Sequence, residues 1–389
     1  MKVVIILPTY NEKGNIDRLI PILEEEIFPS IKNHKMSILV VDDNSPDRTA
    51  DEVKKLMEKW KNIDLNLGEK CGLGAAYVRG MTHAIEKMGA EVMFEMDADL
   101  QHDPKKIKEF LEKIDEGYDM VIGTRYSNGG SIPENWPIHR KLFSIFGNLL
   151  VKTILMRFSI HDWTGGFRAI KKEVFLKEKS ELTAFRGYTF QVSFLHKAVR
   201  DGFKVAEVPI HFTDRTLGHS KIAPKEYIVD LLKYVFKARF LEILYSPFPK
   251  YATVGFTGYL VNAITMEIFK RVFSIPTGLA GSLGGECAII YNFIMNNFWA
   301  FAAQKITSPI NIFYKFLQFN LISLGSVVII GMSLTICTNI FGDTVLVRQA
   351  SLILTIGFLV IPYSYSMYNL FIWKRWKISF LSRLQNLVG

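Results

Sequence analysis

Two carboxylates and an amide follow the apolar stretch 92–96 at a spacing that could hold a metal ion. They are Asp97, Asp99 and Gln101, and side chains two residues apart in an extended chain point to the same side. We therefore expect the three to converge on one point. Two anionic oxygens and one neutral oxygen suit a hard divalent cation, Mg2+ or Mn2+, with phosphate oxygens and water completing its shell. Taken in isolation, the same residues could equally be ordinary turn and helix-cap residues.

The elements around this stretch alternate between strands and helices. Strands are predicted at 3–7, 37–41, 63–67, 92–96 and 120–123. Alternation with helices predicts a doubly wound, mostly parallel sheet, in which ligands bind beyond the carboxyl ends of the strands. Polar motifs come directly after four of these strands, so we expect them to gather along one edge. They are Pro8 to Glu12, Asp42 to Asp47, Asp97 to Gln101, and Arg125.

No glycine-rich phosphate clamp accompanies these motifs. The stretch Gly72-Leu73-Gly74 lacks the third glycine of a dinucleotide fingerprint, and no GxxxxGK[ST] pattern occurs in the sequence. We therefore expect a bound metal ion, rather than a backbone loop, to hold phosphates at this edge.

Composition divides the 389-residue chain in two. Charged residues mix with strand and helix patterns up to about residue 245, and long apolar runs follow from about residue 250. The formal net charge is +9, but no run alternates Lys or Arg with aromatic residues, so basic residues at a membrane surface are favoured over nucleic acid binding. The three cysteines lie far apart without CxxC spacing, which argues against a disulfide framework or a zinc site. No obligate protein partner is indicated.

Four apolar stretches after residue 250 each approach the roughly 20 residues that span a bilayer. They cover about 251–272, 277–300, 313–338 and 346–373. Lys and Arg flank the ends that would face the cytoplasm, so we expect a multi-pass membrane protein with its N-terminal domain and both termini cytoplasmic. The predicted domains are 1–220, amphipathic interface helices 221–247, a transmembrane domain 248–376 and a tail 377–389.

Two acids, Glu267 and Glu286, fall within the first two of these spans. An acid inside a membrane is costly and often functional. Each could act directly, or be paired with a neighbour such as Lys270 or Arg271. The sequence leaves both interpretations open.

Eight motifs keep the order found in one enzyme family. They read PTYNE from 8, VVDDNSPDRT from 40, GLGAAYVRG from 72, MDADLQHDP from 96, GTRY from 123, ENWPIHRKLFS from 134, DWTGGFRAIKKEVF from 162 and RTLGHSK from 215. This set resembles the polyprenyl-phosphate sugar transferases, which are inverting glycosyltransferases of family two, and among them the dolichyl-phosphate mannose synthases. The stretch 291–301 is similar to the small GtrA-like membrane domains that are often joined to such enzymes. The resemblance implies a Rossmann-like α/β catalytic domain of the GT-A type, followed by an all-α transmembrane domain of four helices.

The same resemblance implies GDP-mannose as donor, dolichyl or another polyprenyl phosphate as acceptor, and Mg2+ or Mn2+ as cofactor. By position, the base and ribose would be held by Pro8, Tyr10, Glu12 and Asp42. The metal and diphosphate would be held at Asp97, Ala98, Asp99 and Gln101. Anionic oxygens of donor or acceptor would be held by Arg125, Arg140, Ser144, Arg215 and Lys221. The residues implied in catalysis itself are Asp99, Arg125, Arg140, Arg215 and Lys221.

A phosphate acceptor changes what the chemistry requires. A phosphomonoester has a second pKa of about 6 and is already anionic at neutral pH, so a dedicated general base is not essential. Arg and Lys are needed instead, to position two anions that repel each other. We expect 213–221 to be a mobile acceptor loop, with Gly218 as a hinge. Asp162 could line the sugar pocket or cap a helix, and the sequence leaves both open.

Two other activities remain open from the sequence. A donor such as UDP-glucose would leave the motifs unchanged. The alternative from another class is a transporter of lipid-linked sugars with a nucleotide-sugar sensing domain, against which the few polar residues in the apolar stretches argue. No Q-x-x-R-W motif of the processive synthases occurs, so one sugar per acceptor is expected.

Overall fold

The computed structural model describes residues 1–182, 187–214, 224–342 and 344–376. The chain folds into two compact units, one from Met1 to Arg239 and one from Phe240 onward, and each is described by itself. Arg215 and Lys221, both expected to hold anionic oxygens, lie outside the described residues, as does most of the predicted acceptor loop.

The first unit is built on one sheet, which has seven strands among the described residues. They are β1 (Lys2–Thr9), β2 (Lys35–Asp42), β3 (Ile63–Leu67), β4 (Val92–Glu95), β5 (Met120–Thr124), β6 (Arg168–Lys171) and β7 (Val205–Pro209). Their order across the sheet is β3-β2-β1-β4-β6-β5-β7. Strand β1 lies between β2 and β4 and is parallel to both. The strand order therefore reverses at β1, and ligands bind such sheets at this kind of switch point.

Helices cover both faces of the sheet. They are α1 (Lys13–Pro21), α2 (Thr49–Lys59), α3 (Leu73–Glu86), α4 (Ile107–Asp115), α5 (Ile138–Leu155), α6 (Lys172–Leu182), α7 (Gly187–Arg200) and α8 (Pro224–Leu244). Strand β1 shows why two layers are needed, because successive side chains point to opposite faces. Val3 and Ile5 pack into one apolar core with α1 and α4, whereas Val4 and Ile6 pack into another with α3 and α7.

The sheet is mixed, with one strand reversed. The five strands predicted from the sequence are present and parallel in direction, which confirms the α/β fold with a mostly parallel sheet. Strand β6 runs antiparallel to both β4 and β5, and neither β6 nor β7 was predicted. The reason for missing β6 is physical: it is four residues long and contains Arg168, whose side chain is fully buried.

The second unit is helical. Its helices are α9 (Phe248–Arg271), α10 (Thr277–Met295), α11 (Pro309–Phe341), α12 (Val345–Thr355) and α13 (Ile361–Met367), with π-helical turns at 296–300, 356–360 and 368–372. In the described residues, two stretches are long and apolar enough to cross a membrane, Pro309–Phe341 and Ile353–Ile372. The predicted count of four membrane spans is therefore not confirmed. The first two predicted spans are helical, as α9 and α10, but neither is one of these two stretches.

Helices α9 and α10 pack closely through glycines and asparagines. A Cβ added at Gly258 would lie 2.1 Å from the Asn292 side chain, and one at Gly284 would lie 2.9 Å from the Asn262 carbonyl oxygen. Small residues let helix backbones approach in this way. On the same helix α9, Glu267 accepts a hydrogen bond from Arg271 over 2.6 Å, so of the two interpretations for this acid the paired one is observed.

Candidate active site

The acidic stretch is a turn, not an extended chain. After β4 the backbone turns over residues 98–100, with Leu100 at a φ of +63°. The Asp99 carboxylate accepts the backbone N–H of Gln101 over 3.1 Å, which closes the turn. The expectation that extended backbone places Asp97, Asp99 and Gln101 on one side is therefore wrong in its geometry. Convergence of these residues has to come from the turn itself.

Buried side chains of the first unit contact the turn and fix its position. The backbone N–H of Asp97 donates to His102 Nδ1 over 3.2 Å, and the Asp97 carboxylate accepts the Tyr77 hydroxyl over 3.4 Å. The His102 ring stacks on Phe167 with 5.0 Å between centroids and is almost fully buried. Asp97 is half-buried, and Ala98 and Asp99 are buried. The turn that carries the two carboxylates is therefore held in place by buried side chains.

Gln101 joins the turn to the segment after β7. Its amide Nε2 donates to the Thr213 carbonyl oxygen over 3.0 Å. The Thr213 backbone N–H donates back to the Gln101 carbonyl over 3.3 Å, and the Thr213 hydroxyl donates to the Leu100 carbonyl over 3.2 Å. The first residues of the predicted acceptor loop therefore lie directly on the acidic turn.

The chemistry of this donor set fits a hard divalent cation. Two carboxylates and one amide oxygen come from a single turn, and Mg2+ and Mn2+ favour such oxygens with water and phosphate oxygens in the rest of the shell. Because Gln101 Nε2 is bonded to Thr213, the amide oxygen is the atom that would act as ligand. No group of three His, Cys, Asp or Glu forms a metal site among the described residues, so the amide would be needed as the third ligand.

Asp42 ties the first two strand-end loops together. It is fully buried, and its carboxylate accepts the Thr9 hydroxyl over 2.8 Å, the Ser45 hydroxyl, and the Ser45 backbone N–H over 2.9 Å. The Asp43 N–H also donates to the Thr9 carbonyl over 3.1 Å. Asp42 was expected to hold the base and ribose. In this structure it holds the loops after β1 and β2, and a direct contact with a donor stays a prediction.

The other residues predicted for the base and ribose surround the same loop. Pro8 and Tyr10 are half-buried at the end of β1, and the Lys70 ammonium lies 3.4 Å from the centroid of the Tyr10 ring. The Glu12 carboxylate accepts the Asn15 amide over 2.6 Å at the start of helix α1. Lys70 belongs to the glycine-containing turn after β3, so the ends of β1 and β3 meet here.

Arg125, at the end of β5, is paired with Asp162. Its Nε and Nη2 donate to the two Asp162 carboxylate oxygens over 2.7 and 2.9 Å, and its backbone N–H donates to the same carboxylate over 3.1 Å. Asp162 is fully buried. Burial alone would raise the pKa of this carboxyl, but the charge and hydrogen bonds of Arg125 outweigh it, so the pKa of Asp162 lies below its usual value. No helix begins at Asp162, so its interpretation as a helix cap is wrong, whereas a place in the sugar pocket stays a prediction. In the structure Asp162 orients Arg125.

Arg140 and Ser144 lie on helix α5. The Arg140 guanidinium stacks on Trp136 at 3.8 Å and lies 3.9 Å from the Asp214 carboxylate. Asp214 also accepts the Trp136 indole N–H over 3.3 Å. The Ser144 hydroxyl accepts the hydroxyl of Tyr126, next to Arg125. The structure thus brings Arg125, Arg140 and Ser144 to one region and connects it, through Asp214, with the segment that lies on the acidic turn.

Helix α5 also carries an apolar surface that the sequence did not predict. Six of its large apolar side chains are exposed, from 44 to 77%: Ile138, Leu142, Phe143, Ile145, Phe146 and Leu149. The predicted interface segment was 221–247, whereas this surface lies at 138–149. The signal was present in the sequence, where large apolar residues at 138, 142, 143, 145, 146 and 149 alternate with polar ones, but the motif ENWPIHRKLFS drew attention only to its charges.

A buried acid lies behind the acidic turn and was also missed. Glu95, the last residue of β4, is fully buried, and the nearest guanidinium atom is Arg168 Nε at 3.9 Å. Burial raises the pKa of Glu95 to about 7, against the lowering effect of Arg168. The Arg168 guanidinium donates hydrogen bonds to three backbone carbonyls, those of Gly165, Gln191 and Trp163. This pair therefore fastens the 162–168 segment to the sheet behind the candidate site.

The mixed sheet is GT-A-like, and matches to two family models make the chain a glycosyltransferase with a membrane domain. Residues 4–177 match the model of glycosyl transferase family 2, and residues 250–373 match the GtrA/DPMS transmembrane domain. Dolichol-phosphate mannosyltransferase of Pyrococcus furiosus is 34% identical over 330 residues, which cover 85% of this chain and 88% of that protein. The chain therefore belongs to the family of the dolichol-phosphate mannosyltransferases, within glycosyl transferase family 2.

Two further proteins are similar to part of this chain. Polyprenol monophosphomannose synthase of Mycolicibacterium smegmatis is 39% identical over 227 residues, which cover 57% of this chain and 81% of that protein. Glucosyl-3-phosphoglycerate synthase of Mycobacterium tuberculosis, solved with Mn2+ and UDP, has a TM-score of 0.43 at 16% identity and covers 62% of this chain and 79% of that one. The GtrA/DPMS match and the apolar helices together make this chain a membrane protein.

Proposed function

We propose that this enzyme transfers mannose from GDP-mannose to dolichyl or another polyprenyl phosphate, with inversion at the anomeric carbon and one sugar per acceptor. Two relatives at 34 and 39% identity carry the names of a dolichol-phosphate mannosyltransferase and a polyprenol monophosphomannose synthase. The reaction depends on Mg2+ or Mn2+, and the catalytic domain and both termini face the cytoplasm.

One observation carries the proposal: the acidic turn and the basic groups lie along one connected edge of the sheet. Gln101 is bonded to Thr213, and the neighbouring Asp214 pairs with Arg140. A metal–diphosphate held by carboxylates and a second anion held by guanidinium groups would thereby lie side by side. Displacement of a nucleoside diphosphate by a phosphate oxygen requires that arrangement, because two reactants with like charge must be brought together.

The residues divide the work as follows. Asp97, Asp99 and Gln101 would hold the cation, which when bound stabilises the charge on the departing diphosphate as a Lewis acid. Arg125, Arg140 and Ser144 orient the acceptor phosphate, which attacks without a general base since it is already anionic near neutral pH. The loops held by Asp42 shape the pocket for the base and ribose. Arg215 and Lys221, which lie outside the described residues, would also bind anionic oxygens of the acceptor.

The test is transfer by the purified full-length chain. Labelled GDP-mannose, dolichyl phosphate in vesicles and Mg2+ or Mn2+ should give a mannosylated lipid, and parallel reactions contain UDP-glucose and other nucleotide sugars. Asp99→Asn, which keeps the shape of the side chain but removes its charge, should lower the rate at least about a hundredfold. A product formed only from UDP-glucose would overturn the donor assignment. Absence of lipid-linked sugar with every donor would overturn the enzyme's assignment to this reaction and favour a transporter with a sensing domain.

A further inference from the structure

Three polar residues of helix α5 form one stripe. Arg140, Ser144 and Asn148 are four residues apart, and side chains at that spacing lie on the same helix face. Exposure falls along the stripe, from a half-buried Arg140 to Asn148, which is 3% exposed. The first two are expected to hold phosphate oxygens. Asn148 is too deeply buried to hold a phosphate oxygen, and its hydrogen bonds indicate a different role.

The Asn148 side chain has each of its polar groups bonded. Its Oδ1 accepts the backbone N–H of Trp163 over 2.7 Å. Its Nδ2 donates to the Ser144 carbonyl oxygen over 3.0 Å and to the Thr164 hydroxyl over 3.2 Å. A primary amide has two N–H hydrogens, so both are used here. Asn148 therefore joins helix α5 to the turn 162–165.

The Thr164 hydroxyl links Asn148 to Arg125, because it is hydrogen-bonded to both side chains. It accepts from Asn148 and from Arg125 Nη2, the latter over 2.8 Å, and it can donate to an Asp162 carboxylate oxygen 3.3 Å away. A hydroxyl has one hydrogen and two lone pairs, so this arrangement saturates it. Asp162 in turn holds the Arg125 guanidinium through two further bonds. The orientation of Arg125 is thus fixed by a chain of bonds that begins on α5.

We propose that Asn148 is a positioning residue for the acceptor phosphate: through Thr164 and Asp162 it aligns Arg125 with Arg140 and Ser144. This inference rests on the proposed function, since it assumes that these three residues bind the acceptor. It goes beyond that function by assigning a role to a buried residue that touches no substrate. The alignment is needed because Arg125 comes from a strand end and the other two come from a helix.

Four variants separate this role from a purely structural one. Asn148→Asp keeps the acceptor for Trp163 but loses the N–H donated to Thr164, and Thr164→Val removes the hydroxyl with little change in volume. Asn148→Ala removes all three hydrogen bonds of the side chain. The matched control is Val151→Ala, which removes buried apolar volume on the same helix, since Val151 is fully buried and lies in the apolar core.

Steady-state kinetics of each full-length variant with GDP-mannose and dolichyl phosphate supply the test. For Asn148→Asp and Thr164→Val we expect the KM for the lipid phosphate to rise 5- to 20-fold, with the KM for the donor within twofold and kcat within threefold of wild type. The double variant should be no worse than the more affected single one, because both break one chain of bonds. Val151→Ala should lower the melting temperature without moving the KM for the lipid phosphate.

Two results would overturn the inference. One is an Asn148→Asp enzyme with the wild-type KM for the lipid phosphate, which would leave Asn148 as a support for Trp163 only. The other is an equal rise in both KM values in the Asn148 variants and in Val151→Ala, which would reflect general destabilisation. Failure of the proposed function looks different: wild-type protein would then form no mannosylated lipid at all.

Discussion

The side-chain amide of Gln101 donates a hydrogen bond to the Thr213 carbonyl oxygen over 3.0 Å, and so connects the acidic turn with the start of the predicted acceptor loop. The two residues are 112 positions apart in the chain. One side chain would therefore have two tasks, since its oxygen would bind the cation and its nitrogen bonds the start of the predicted acceptor loop.

Gln101→Glu separates these two tasks. A carboxylate keeps an oxygen for the cation and adds negative charge, so binding of Mn2+ should be maintained or tightened. The same change places a carboxylate oxygen against the Thr213 carbonyl, where no hydrogen is left to share. We expect transfer to fall at least about tenfold, which corresponds to about 1.4 kcal/mol of activation free energy. Mn2+ binding by electron paramagnetic resonance and transfer rates are the measurements. A Gln101→Glu enzyme as fast as wild type would show that the bond to Thr213 has no part in turnover.

Asp42 should act on donor binding through the loops it joins. In Asp42→Asn an NH2 group replaces one carboxylate oxygen and faces the hydrogen-bond donors of Thr9 and Ser45. Loss of a buried, charge-assisted acceptor should reduce the free energy of unfolding by about 1–3 kcal/mol. Thermal unfolding and binding of GDP measure the two effects, and Ser45→Ala should not add fully to Asp42→Asn because the residues share bonds. Unchanged stability combined with lost GDP binding would instead make Asp42 a direct ligand.

The strand ends could be predicted well from the sequence, because an apolar run followed directly by polar residues is a local signal. Strands β1 to β5 and the polar motifs after them are found where the patterns place them. The geometry of the acidic stretch was not predictable in this way. Leu100 adopts a left-handed conformation, and Asp99 caps the backbone N–H of Gln101, so the assumption of an extended chain failed at the site itself.

Side-chain contacts between segments far apart in the chain also could not be predicted from the sequence. Arg125 and Asp162 are 37 residues apart and meet only because β6 is inserted antiparallel between β4 and β5. The sequence left Asp162 as a pocket residue or a helix cap because its partner was unknown. Likewise, Asn148 could not be distinguished from any polar residue on a helix until the turn 162–165 was placed against it.

The stability contributed by Asp162 should depend on pH. The pKa of Asp162 in the folded protein lies below its ordinary value of 3.8. A carboxyl with a depressed folded pKa contributes stability above the pKa of the unfolded chain and loses it as the pH falls through the folded pKa. The difference in melting temperature between wild type and Asp162→Asn should therefore be largest near pH 7 and should shrink below about pH 4. A difference that stays constant from pH 7 to pH 3 would contradict the ion pair with Arg125.

The exposed apolar face of α5 should matter only when the acceptor is in a bilayer. Phe146 is 59% exposed, so Phe146→Ser should leave the melting temperature unchanged. Apolar side chains on an amphipathic helix bind the membrane interface, and we expect a severalfold lower rate with dolichyl phosphate in vesicles. The rate with a short, water-soluble isoprenyl phosphate should be unaffected. Leu176→Ser, at a 54% exposed position of α6, is the matched control. Equal losses with both acceptors would point to damage at the site and not to membrane contact.

Adjacent glycines of helix α10 should respond oppositely to alanine. A Cβ at Gly284 would meet the backbone of α9, 2.9 Å from the Asn262 carbonyl oxygen and 3.1 Å from the Met266 nitrogen, and neither can rotate away. At Gly285 a Cβ would meet nothing within 4 Å. Gly284→Ala should therefore destabilise the second unit by about 1–3 kcal/mol through overpacking. Gly285→Ala should be neutral or stabilising by up to about 1 kcal/mol, since alanine is the better helix former.

Thermal unfolding of the full chain in detergent measures both changes. Gly258→Ala gives an intermediate case, because the group its Cβ would meet is the end of the Asn292 side chain, which can rotate. The expected order of melting temperatures is Gly285→Ala highest, then Gly258→Ala, then Gly284→Ala. Equal melting temperatures for the Gly284 and Gly285 variants would mean that α9 and α10 do not approach as closely as their glycines allow.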